Sequence, residues 1–223
     1  MKRFFLFALV ATMFAACATD ETRDVVTATT PETLTVSFED ADSRIQLDNG
    51  KTVWTKGDLA SVFYRSNANQ QWQYQGETGE RTGNLKRVNA GNATETMKRV
   101  VVVYPYNENY YINPRTYNVQ ASLPATQTYK ADSYGIDGNI MISSGYYNQF
   151  SLKNVCGWLK IQLTGNGERV QSITLHGNNN EQVAGLVYIN SSNASITLAA
   201  EMGSADDPEV GGAGGNLVLD DTI

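Results

Sequence analysis

The sequence predicts an all-β fold, an antiparallel β-sandwich with little helix. Short stretches alternate apolar with polar residues, and Gly, Asn and Pro separate them. No stretch sustains a helical apolar period over several turns. With 41% hydrophobic and 18% charged residues, the chain has the material for a real core.

Thr33–Phe38 comes first: Leu34, Val36 and Phe38 fall on one face, and Thr33, Thr35 and Ser37 on the other. Leu59–Tyr64 follows the turn pair Gly57-Asp58. Val100–Val103 is continuous and β-branched, the composition of a central strand buried on both faces. In Phe150–Leu152 the apolar residues are even-numbered, and in Leu159–Leu163 they are odd-numbered. The slip predicts a bulge or bend across Asn154–Gly157. Val170–His176 and Gln182–Ile189 flank Gly177-Asn-Asn-Asn180 and predict a hairpin. Ala194–Leu198 is a further short strand.

The chain divides by composition. Residues 1–16 form a secretory signal: Lys2 and Arg3, the apolar run Phe4–Val10, then small residues up to Ala16. The apolar run is too short to span a bilayer, which takes about 20 residues. Cys17 follows the expected cut between Ala16 and Cys17 and is the acceptor expected in a bacterial lipoprotein; Phe14 stands where an aliphatic residue is usual. Residues 17–32 are then an acylated polar tether, 33–202 the β-domain and 203–215 a Gly-rich linker. Residues 216–223 are either a terminal strand packing back or the start of a second domain.

Removing residues 1–16 leaves 15 basic against 23 acidic residues, a formal charge of −8. That balance argues against nucleic acid and anionic headgroups as partners. With Cys17 lipidated, Cys156 lacks an intrachain partner and is expected to be a buried structural thiol.

Nothing in the sequence calls for catalysis, a metal or a cofactor. There is one histidine, His176, which nearly excludes histidine triads and multi-histidine metal sites. Glu39, Asp40 and Asp42 cluster, but read best as a solvated loop. Leu123-Pro-Ala-Thr-Gln127 is read as an extended loop, and Gly-rich 211–215 lacks the Lys-Ser/Thr of a phosphate loop. Tyrosines at 104, 106, 110, 111, 117, 129, 134, 146 and 147, with Trp54 and Trp72, read first as core and rim packing. Exposed rings among Tyr106, Tyr110 and Tyr111 offer the alternative of a sugar-stacking platform.

Several segments in order resemble the fimbrillin family of surface lipoproteins in Bacteroides-type bacteria, the subunits of type V pili and their relatives. They are Ser43-Arg-Ile45, Val53–Asp58 leading into Ala60–Phe63, Val103–Tyr106, Leu123–Gln127, Phe150–Leu159 and Val170–Gly177 with Val183–Gly185. Residues 18–24 also resemble the surface-export signal of such lipoproteins. The resemblance implies two sandwich domains of transthyretin-like topology, of which residues 33–190 match the first. It implies a lipid-anchored precursor on the outer membrane, without catalysis, working in a fimbrium and in adhesion. An arginine-specific protease cuts beyond an N-terminal strand, and a neighbouring fimbrillin-like subunit donates a strand into the groove. Here the displaced strand is Thr33–Phe38, with Leu34, Val36 and Phe38 filling the groove, and the cut follows Arg44. Partners are then other such subunits, the outer membrane, and a host or bacterial surface glycan or protein. The rival reading is a carbohydrate-binding surface lipoprotein of a glycan-uptake system.

Overall fold

The computed structural model describes residues 31, 33–39, 52–128, 138–157, 161, 163–167, 169–175, 183–198 and 217–220. Ala16, Cys17, Arg44, Asp40, Asp42, Tyr129, Tyr134, His176 and the 203–215 segment lie outside the described residues.

The fold is all-β, with no helix among the described residues. Its strands are β1 (Thr33–Phe38), β2 (Leu59–Ser66), β3 (Gln70–Tyr74), β4 (Thr82–Asn89), β5 (Thr96–Tyr104), β6 (Tyr111–Ile112) and β7 (Asn118–Leu123). They continue with β8 (Thr126–Thr128), β9 (Met141–Gly145), β10 (Gln149–Asn154), β11 (Ser172–Leu175), β12 (Gly185–Asn190), β13 (Ile196–Leu198) and β14 (Leu217–Asp220).

The first seven-stranded sheet closes on itself in the order β1, β10, β9, β5, β2, β3, β4 and back to β1. This departs from the two open antiparallel sheets that strand patterning predicts. The closing strand, β1, is parallel to β10 and antiparallel to β4. Sheet closure leaves no edge along this ring, and alternation puts every second side chain inside.

Two cores share one wall. The interior holds Leu34, Val36, Phe38, Trp54, Ala60, Val62, Trp72, Tyr74, Leu85, Val100, Val102, Phe150 and Leu152. The second core joins the outer face of that wall (Phe63, Val101, Val103, Ile142) to Ile112, Val119, Val187 and Ile189. Those last four come from a four-stranded sheet ordered β13, β12, β7, β6. β5 therefore feeds both cores, and Val100–Val103 are all buried, as the unbroken β-branched run predicts.

The expected hairpin across 177–180 is not the pairing found. β12 pairs antiparallel with β7 and β13, whereas β11 pairs with β14, which also runs parallel to β8. The turn signal is local; pairing with β7 buries Val187 and Ile189 beside Val119 and Ala121, and burial outweighs it. The strand expected over 159–163 falls partly outside the described residues, and Ile161 and Leu163 are exposed and not in a strand. β13 begins at Ile196 because Ala194, at φ 61°, still belongs to the turn. The bend expected near Asn154 is present: β10 ends there and the chain turns through Val155 and Cys156. Thr126–Gln127 of the expected loop pair in β8 instead.

Candidate functional site: the closing strand and its groove

β1 forms because apolar Leu34, Val36 and Phe38 alternate with the hydroxyl residues Thr33, Thr35 and Ser37, and its burial follows that alternation. Leu34 and Val36 are fully buried and Phe38 nearly so, while Thr33 is exposed and Thr35 and Ser37 are half-buried. On one side Thr35–Phe38 lie opposite Gln149–Leu152. On the other, Thr33–Ser37 lie opposite Thr82–Lys86. Among the described residues β1 alone joins β4 to β10, so the cylinder without it is a six-stranded open sheet with an apolar slot.

The far end of β1 is fastened. The Phe38 amide donates to Arg81 O at 3.1 Å, and the Glu39 amide to Leu152 O at 2.9 Å. Arg81 Nη2 donates to the carbonyls of Phe38 and Glu39 at 3.3 and 3.4 Å. Lys153 Nζ lies 3.4 Å from Glu39 Oε1.

Phe38 enters an aromatic nest. Its ring stacks on Trp54 with centroids 4.5 Å apart and meets Tyr104 edge-on at 5.8 Å. Trp54 in turn stacks on Tyr74 at 5.0 Å and takes Tyr104 edge-on at 4.9 Å. Such pairs contribute about 0.5–1.5 kcal/mol each beyond area burial. Gly83, opposite Val36, is required by packing: a Cβ there would run into the Tyr74 ring.

The nest sits on a turn built by Gly57 at φ 89° and Asp58. Asp58 Oδ2 accepts the Thr55 amide at 2.8 Å and the Tyr104 hydroxyl at 3.0 Å. Burial, and then the Asp58 charge, push the Tyr104 phenol up. The Tyr74 ring is buried, but its hydroxyl reaches the exposed Glu80 carboxylate at 2.8 Å. Desolvation first, then that hydrogen bond, push Tyr74 up to about 12. Both phenols stay protonated at neutral pH, so they serve as donors and packing, not as acid–base groups. Trp54 Nε1 is buried without a partner among the described residues, which costs about 1–3 kcal/mol that the ring stacking offsets.

The other sequence-derived candidates scatter. Tyr110 is buried in the second core, whereas the neighbouring Tyr111 is exposed, so these tyrosines do not make one platform. Cys156 is half-buried, and burial pushes its thiol up, away from nucleophilic character. Sequence reasoning missed the nest: Trp54, Tyr74 and Tyr104 come from three separate segments, and only pairing brings them to Phe38.

No protein-family profile, curated protein or solved structure matches the chain.

Proposed function

We propose that this is a lipid-anchored, non-catalytic surface protein of fimbrillin-like type that works by strand exchange. In this reading the barrel is the first sheet of a transthyretin-like sandwich, held closed by its own N-terminal strand, and the four-stranded sheet is the second layer. Cleavage after Arg44 detaches β1 from the rest of the chain. β1 then leaves the slot between β4 and β10, and the strand of a neighbouring subunit takes its place in a fimbrium on the outer membrane, where adhesion is the role.

One observation carries the reading: β1, the first strand among the described residues, has hydrogen bonds that face two partner strands and apolar side chains that fill a continuous slot. A replacement with the same alternation restores both ladders and all three buried positions, which is β-strand addition. Each refilled position is worth roughly 1.5–3 kcal/mol of apolar burial.

The test is limited digestion of the folded protein with an arginine-specific protease, followed by mass spectrometry and addition of an isotope-labelled peptide spanning residues 33–38. The expected result is cutting after Arg44 and incorporation of the peptide only after the cut. An intact 33–50 region, or a cut protein that takes up no peptide, would overturn the proposal.

A further inference from the structure

Arg99 lies on the outer face of β5, between Met97 and Val101 of the second core, and is itself half-exposed. Three connections converge on it. Tyr117 from the β6–β7 turn holds its ring centroid 5.4 Å from the guanidinium carbon, and Tyr146 after β9 holds its own at 5.3 Å. Arg99 Nε donates to the Tyr146 hydroxyl at 3.1 Å, and Nη1 donates to Ser192 Oγ, in the β12–β13 turn, at 2.8 Å. Two phenol faces and two hydroxyls thus hold the guanidinium in one orientation.

Its charge is nevertheless unanswered among the described residues. The ion pairs among the described residues are Lys56 with Glu77 and Lys153 with Glu39, and none involves Arg99. A guanidinium carries five N–H donors; two are used, which leaves three without a partner among the described residues. A fixed, half-exposed fork of this kind matches a carboxylate bidentately. Tyr146 is 54% exposed, and Tyr147, next to it in the chain, is 81% exposed, far more than rings used for packing.

The geometry points to Arg99, Tyr146 and Tyr147 as a binding site for a carboxylate-bearing sugar residue, such as a uronic acid. The guanidinium takes the carboxylate, and the C–H face of the pyranose stacks on the exposed tyrosine. The chain's net charge of −6 disfavours a polyanion and leaves a single acidic group as the fit. The neighbouring turns add two ring faces, two hydroxyls and the exposed Asn148 and Asn193, groups that suit a polar ligand. This site goes beyond strand exchange and stands independently of it, since Arg99 lies on the opposite face of the wall from the β1 slot.

Ligand-observed NMR and calorimetric titration with methyl glucuronide, methyl glucoside and glutarate test it on the full chain. The glucuronide should bind saturably and weaken with added salt. The neutral glucoside should bind roughly tenfold more weakly or worse, the loss of one charge-assisted contact. Arg99→Gln should remove the preference for the acid, and Arg99→Lys should restore only part of it because the fork is lost. Tyr147→Ala, at an exposed ring whose loss leaves folding intact, should weaken the glucuronide several-fold. Equal binding of glucuronide and glucoside, no saturable binding, or glutarate matching glucuronide with Tyr147→Ala without effect would each overturn the assignment.

Discussion

β1 and β5 both line the same interior, yet they are held in opposite ways. β5 sends Val100 and Val102 into one core and Val101 and Val103 into the other, with β2 and β9 on its flanks. β1 buries Leu34, Val36 and Phe38 on one face, while Thr33 on the other is exposed and Thr35 and Ser37 are half-buried. A strand buried on both faces cannot leave without dismantling two cores. A strand buried on one face can be exchanged for another of like pattern, provided both ladders are remade. On the strand-exchange proposal, how many faces are covered decides which strand in this wall is permanent and which is replaceable.

Perturbations of graded size sharpen that contrast. The largest effect is expected from Val102→Asp, which places an unpaired carboxylate in the interior and should abolish cooperative unfolding, a loss of more than about 4 kcal/mol. Next, Phe38→Ala should cost about 3 kcal/mol by chemical denaturation, since it empties the aromatic nest. If exchange is the work of β1, the same change should speed uptake of a labelled 33–38 peptide by the Arg44-cleaved protein. A Val102→Ala variant should destabilise without speeding uptake; equal acceleration in both would erase the distinction between the two strands.

Alkali should act on the nest in a defined direction. A phenol whose folded-state value is raised contributes stability that is complete below its unfolded value of 10.0 and is lost as pH climbs through about 12. Thermal melts should therefore fall across that window, in step with phenolate absorbance, and Tyr74→Phe should flatten the fall. The smallest effect belongs to Lys56→Ala. Its pair with Glu77 is 2.8 Å long but has both side chains well exposed, so the change should stay within about 0.5 kcal/mol and vanish in high salt.

The strands were legible in the chain only in part, with β6 to β9 among those that were not. Alternation located β1 and β10, turn chemistry opened β2, and an unbroken β-branched run marked β5 as covered on both faces. Which strands meet was not legible. β1 lies more than a hundred residues before its parallel neighbour β10, and nothing in Thr33–Phe38 encodes that partnership. The Asn-rich segment at 178–180 signals a turn but is silent about whether the flanking strands pair with each other, and β12 instead joins β7. β3 and β4 were overlooked because Gln, Asn, Lys and Arg fill their outward positions and hide Trp72, Tyr74 and Leu85. The Arg99 cluster is a product of three turns and has no linear signature; the only hint was a lone arginine directly ahead of four valines.

The mixed pairing of β1 has a directional consequence. Because β1 is parallel to one neighbour and antiparallel to the other, a segment replacing it would have to enter in the same sense, since reversal would swap the two hydrogen-bond patterns. A one-residue slip is equally barred, since it would turn Thr and Ser inward. Any chain of subunits joined through this slot must then have a head and a tail, and can lengthen only where an empty slot faces outward.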